Sequence, residues 1–179
     1  TSDEYLSLDP ARLLDTRPGF TTVDGNFAAG GTLGPAETID LTVTGRGGVP
    51  GTAVGAVVIT LTATSPTTGT HLTVYPTGTT PPNASNLNLV AGETRANLVV
   101  AKVGTNGRIT IRNNTGNVHV IADVVGWYDT GAAPTGSRFN ALTPARLLDS
   151  RDGTGGVDHP CGGGAAGGLP GAGVGGEGA

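Results

Sequence analysis

A ten-residue phrase occurs twice in this chain. Leu8-Asp9-Pro10-Ala11-Arg12-Leu13-Leu14-Asp15-Thr16-Arg17 returns as Leu142-Thr143-Pro144-Ala145-Arg146-Leu147-Leu148-Asp149-Ser150-Arg151. An aromatic precedes each copy at the same distance, Tyr5 and then Phe139. A repeat of domain length marks the opening of one folding unit and then of another. The expected organisation is a complete module over 1–130, a linker over 131–138, the opening segment of a second module over 139–151, and a tail over 152–179. The linker is rich in Gly, Ala, Pro and Thr. From Gly153 onward nearly half the residues are glycine and no alternating apolar run survives. Such a tail buries too little apolar surface to offset its ordering entropy, so it is not an independent domain.

Within the body, hydrophobicity alternates with a period of two rather than 3.6. Ile39, Leu41 and Val43 alternate with Asp40, Thr42 and Thr44, and Val57, Ile59 and Leu61 with Thr60, Thr62 and Thr64. Leu72 and Val74, Leu87 and Leu89, and Ile109 and Ile111 repeat the pattern. This is the signature of strands with one buried and one wet face. Leu98 to Ala101 and Val118 to Val125 are nearly continuous apolar runs, as in central strands covered on both sides. Turn residues separate the runs. Asn106-Gly107 predicts a two-residue hairpin, because both residues tolerate positive φ, and Asn113 to Gly116 predicts another. The reading is an all-β antiparallel β-sandwich of about seven to eight strands, jelly-roll or immunoglobulin-like.

Charge is sparse, at 13% of residues with a net charge of −4. Clustered Lys and Arg, which nucleic acid and anionic lipid require, are missing. No apolar run approaches the roughly 20 residues of a membrane span. The single Cys161 allows no internal disulfide framework.

Asp123 lies inside the last apolar run and needs a partner if buried. Arg12 and Arg17 are the candidates. With Asp15 they are expected to form a structural ion-pair network, although an Arg fork is also the chemistry of a carboxylate clamp. His71, His119 and His159 share no metal-ligand spacing, and no Gly-x-Ser-x-Gly elbow or other nucleophile–base constellation occurs. Asp3, Glu4, Asp24 and Asp129 lack the dense carboxylate run that calcium takes. The expectation is no catalytic residue, no metal and no cofactor. Trp127 and Tyr128 close the last strand. With His119 they are candidates for one sugar-binding face, against the plainer role of Trp127 as an end plug. Asn86 and Asn88, with Thr60, Thr62 and Thr64, offer neutral hydrogen-bonding groups at strand spacing. Such arrays suit glycans, and Thr is also simply a good β-surface residue.

The ordered series Pro-Ala-Arg-Leu-Leu-Asp-Thr-Arg, Gly-Arg-Gly-Gly-Val-Pro, Leu-Thr-Val-Tyr-Pro, Ser-Asn-Leu-Asn, Ala-Asn-Leu-Val-Val and His-Val-Ile-Ala-Asp-Val-Val-Gly-Trp-Tyr resembles a repeat module of secreted actinobacterial proteins. Those modules stand singly or in tandem beside peptidoglycan amidases, proteases and other exoenzymes. The resemblance covers Tyr5 to Tyr128 and Phe139 to Arg151, and the tail after Gly156 departs from it. It implies an extracellular, cell-surface-associated and non-catalytic role, with no catalytic residues to carry over. Two functions follow as expectations. One is attachment of a secreted protein to polysaccharide or peptidoglycan. The other is a structural or adhesive repeat that assembles head to tail when Leu142–Arg151 of one chain docks where Leu8–Arg17 of the next belongs.

Overall fold

The computed structural model describes residues 5–130, 142–149 and 154–156. The predicted linker, Phe139, Arg151, Asp3, Glu4, His159, Cys161 and nearly all of the tail lie outside the described residues. The chain divides into two compact units, Thr1–Ala145 and Arg146–Ala179.

The first unit holds eight strands: β1 (Tyr5–Asp15), β2 (Thr38–Thr42), β3 (Val54–Thr64), β4 (Thr70–Pro76), β5 (Leu87–Leu89), β6 (Thr94–Lys102), β7 (Arg108–Asn113) and β8 (His119–Asp129). They form two four-stranded sheets with orders β1-β8-β3-β6 and β2-β7-β4-β5. Every pairing is antiparallel, and β1 pairs with β8, β2 with β7, β3 with β6 and β4 with β5. That nesting is one long hairpin rolled up so that alternate pairs fall in opposite sheets. It is the topology of an eight-stranded jelly roll. The alternating residues meet between the sheets. Leu41, Val57, Ile59, Leu61, Leu72, Val74, Ile109, Ile111, Val120 and Val124 are all buried in one cluster. Each fully buried side chain of this kind contributes about 1.5–3 kcal/mol.

Three local expectations differ from what forms. Asn106-Gly107 does not turn a hairpin. β6 pairs with β3 and β7 with β2 and β4, so the segment crosses from one sheet to the other. Both residues do adopt positive φ (57° and 68°), inside a single 3₁₀ turn at Thr105–Gly107. Asn113 to Gly116 likewise joins β7 to β8 across the sheets. Its cause is Asn113, fully buried, whose amide donates to the carbonyls of Leu33, Gly34 and Gly116 and accepts from Thr70. Four groups of a sharp corner are thereby satisfied by one side chain. Finally, the apolar run in β6 is not a central strand. β6 is a sheet edge, and Leu98 and Val100 stay 60% and 41% exposed while Val99 and Ala101 face the core. The run Val118 to Val125 does occupy an interior position, between β1 and β3.

Candidate functional site

The first copy of the phrase runs from Leu8 in β1 to Thr16 and Arg17 just beyond its end, and it is seated by four sets of contacts. β8 supplies the backbone partner, with Arg12 opposite Asp123 and Asp15 opposite Ile121. Leu13 and Leu14 turn into the core, 0% and 2% exposed. A β-irregularity between Arg12 and Leu14 breaks strict alternation, which is how consecutive leucines both face inward.

The ionic groups form the second set. Arg12 grips Asp123 with a fork, Nε to Oδ1 at 2.9 Å and Nη2 to Oδ2 at 3.2 Å, and donates Nη1 to Asp15 at 3.0 Å. Arg17 donates its backbone N–H, Nε and Nη2 to the same Asp15 at 3.1, 3.0 and 2.8 Å. The Asp15 side chain is fully buried. Burial by itself would raise its pKa. The Arg17 hydrogen bonds, from side chain and backbone, outweigh that and hold the carboxyl below its ordinary value. The Arg12 guanidinium is shifted up in turn, chiefly by its hydrogen bond to Asp123. Arg12, Asp15, Arg17 and Asp123 thus meet as one cluster, with the buried Asp15 carboxylate held between the two arginines.

The loop after β2 makes the third set. At Gly47 (φ +56°) an added Cβ would stand 2.9 Å from Leu13 and from Val124 and 3.0 Å from Ala11, and at Gly48 3.0 Å from Leu8. Only glycine lets this loop lie flat on the phrase. Between β2 and these glycines, the buried Arg46 donates to the carbonyls of Leu13, Thr42 and Asn26, and forks onto Asp24 at 2.7 and 2.8 Å. The Arg46 hydrogen bond is the leading cause that pulls the Asp24 carboxyl far below the usual range. Asp24 is therefore committed to an arginine rather than offered to calcium. Among the described residues no three His, Cys, Asp or Glu side chains converge on a metal position.

Thr16 completes the seat. Its hydroxyl accepts from the Val120 N–H at 2.9 Å and shares a hydrogen with His119 Nδ1 at 3.1 Å. His119 is thus tied to the phrase rather than held out for a ligand. It pairs with Thr64, while Tyr128 pairs with Ala56 near the other end of β8. The strand rise puts those ends roughly 30 Å apart. His119 and the Trp127–Tyr128 pair thus stand at opposite ends of β8. Trp127 is half-buried against the core, and the Tyr128 ring packs on Tyr5 at 5.4 Å between centroids.

Asn86 and Asn88 lie elsewhere, in a groove of about 270 Å³ between β5 and β6 that Leu87, Arg95, Ala96 and Asn97 also line. Asn86 is half committed to the fold. Its Oδ1 accepts from the Val74 N–H at 2.7 Å, and its carbonyl accepts from Asn97 Nδ2 at 2.8 Å. Asn88 is exposed. Arg95 pairs with Glu93 at 2.5 Å. Arg95 and Asn97 escape sequence reasoning because only the packing of one sheet edge against the other brings them to the Asn pair. A larger hollow of about 610 Å³ lies under the β1–β2 loop, lined by Leu14, Thr16, Phe27, Leu33, Glu37 and Ile39 among others. Glu37 there is engaged by the Gly34 N–H at 2.7 Å.

The second copy of the phrase keeps its local chemistry. Arg146 Nη1 meets Asp149 Oδ2 at 2.5 Å, the same i,i+3 pair as Arg12 and Asp15, and the Asp149 N–H donates to the Thr154 carbonyl at 2.9 Å. Residues 142–148 form no strand, and Leu147 and Leu148 are 84% and 56% exposed.

No family model matches the chain, and no curated protein matches it in sequence. Among the described residues no helix is long and apolar enough to cross a membrane.

Proposed function

We propose that the protein is a non-catalytic extracellular module that attaches a secreted parent protein to polysaccharide, the glycan of a cell wall included. The observation that carries this reading is the groove between β5 and β6. It brings Asn86, Asn88, Asn97 and Arg95 to one place. Three neutral amides beside one arginine match a ligand dense in hydroxyl groups. Aromatic residues are not among its lining, so each site binds weakly and attachment depends on several modules acting together. The resemblance to tandem modules of secreted actinobacterial proteins supports the same reading. The test is retention on insoluble peptidoglycan, chitin and cellulose. Wild type is expected to be retained on at least one of them, and Asn88→Ala with Arg95→Ala to elute. Equal elution of both proteins from all three would end the reading.

A second reading is favoured by a separate observation, the exposed leucines of the second phrase. In it the protein is a structural repeat whose modules join through their opening strands.

A further inference from the structure

The seat of β1 reads a short set of groups, and the second phrase carries nearly all of them. Leu8 lies over Gly48, and Ala11 and Leu13 lie over Gly47; Leu142, Ala145 and Leu147 stand at those places in the copy. Leu14 has its counterpart in Leu148, Arg12 in Arg146, Asp15 in Asp149 and Arg17 in Arg151. Thr16 becomes Ser150, which keeps the hydroxyl that Val120 and His119 use. The remaining differences fall where β1 is exposed: Tyr5 to Phe139, Leu6 to Asn140, Ser7 to Ala141 and Asp9 to Thr143. The Tyr5 hydroxyl, bonded to the Val125 carbonyl, is the one hydrogen-bonding side chain of β1 that the copy drops.

We infer that Leu142–Asp149 is a donor strand for the β1 seat of a second copy of this chain. This rests on the second of the two readings above and is independent of glycan attachment. The seat lies at a sheet edge with β8 as its single strand neighbour, so a strand can leave it without unzipping the rest of the sheet. Among the described residues there is one such seat for the two phrases. The leucines of the second phrase are exposed here, with a β1 seat in another molecule as their matching surface. The contact is heterologous, tail to head, and propagates rather than closing. Donor and displaced strand are nearly alike, so exchange between wild-type chains is close to energetically neutral. A defect in β1 tips it toward assembly.

The test uses the full chain with Leu13→Asp, Leu147→Asp and both together, followed by circular dichroism and light scattering over a range of concentrations. Leu13→Asp disables β1 and leaves the donor intact. It is expected to stay folded and to form multiples of the 17.6 kDa chain, its average mass rising about twofold or more with concentration. Leu147→Asp is expected to be a folded monomer throughout, and the double variant to be unfolded. If Leu13→Asp is as unfolded as the double variant, the second phrase is no strand for this seat and the inference falls. It also falls if Leu13→Asp is folded but monomeric at every concentration. The milder Leu13→Ala guards against a variant that cannot fold at all. It must assemble more than wild type and lose that excess when Leu147→Ala is added, and no excess overturns the inference. Glycan retention measured on monomeric Leu147→Asp keeps the attachment reading separate.

Discussion

The two copies of the phrase share residues and a local ion pair, yet one is an edge strand with its leucines in the core and the other forms no strand and leaves its leucines exposed. Arg12–Asp15 and Arg146–Asp149 form the same i,i+3 contact in both settings. What differs is non-local. The first copy has β8 alongside it, Asp123 to receive Arg12, and the Gly47–Gly48 loop to lie on its leucines. The phrase thus carries its own local ordering, while the strand and its burial belong to the seat. Loop-closure entropy makes such long-range contacts the costly part of a β fold.

The largest expected difference between the copies is in the leucines. Leu13→Ala should cost about 2–5 kcal/mol in urea unfolding of the sandwich, as a cavity in a close-packed core does. Leu147→Ala should change it by less than about 0.5 kcal/mol, as an exposed site does. Equal costs would erase the contrast.

The aspartates come next. Asp15→Ala should destabilise by about 2–3 kcal/mol. That is less than a fully buried pair would lose, because Arg12 and Arg17 are partly solvated. Asp149→Ala should leave the same transition within about 0.5 kcal/mol.

A smaller effect tests the seat from its other wall. Gly47→Ala places a Cβ against Leu13 and Val124 at positive φ, and should cost about 1–3 kcal/mol. A neutral result would show that the loop does not press on the phrase.

The smallest effect is that of pH. Hydrogen bonds from Arg17 and Arg46 hold the Asp15 and Asp24 carboxyls below their ordinary pKa of 3.8. Their contribution is complete above that value and is lost as pH falls through the lower folded-state values, where the unfolded chain binds more protons. Thermal unfolding should therefore be level between neutrality and about pH 5, then weaken below about 4. Asp15→Asn and Asp24→Asn should each flatten the acid limb. An acid limb unchanged in both variants would contradict the assignment.

Much of this fold can be read from alternation, because the period-two pattern places Leu41, Ile59, Leu72 and Ile111 on inner faces without knowing their neighbours. Sheet order cannot be read that way. Asn106-Gly107 has the right backbone preference, and that preference serves a corner as well as a hairpin. Leu98 and Val100 look central by composition, but only the rolled topology makes β6 an edge. The four members of the ionic cluster are visible as charges placed in or beside apolar runs. Arg46 is not, since a lone Arg among glycines carries no periodic signal, and its carbonyl partners are distant in sequence. The groove is half visible, through Asn86 and Asn88, while Arg95 and Asn97 come from the facing edge. His119, Trp127 and Tyr128 are all legible as polar or aromatic groups on one strand, while their separation along β8 follows from its eleven-residue length.

The most direct measurement is amide hydrogen exchange on the intact chain at low concentration, comparing the segment Ala11–Asp15 with Ala145–Asp149. If the seat makes the strand, the first segment exchanges only through global unfolding and the second exchanges orders of magnitude faster. Equal protection of the two would show that the phrase orders itself wherever it stands, and would contradict the account.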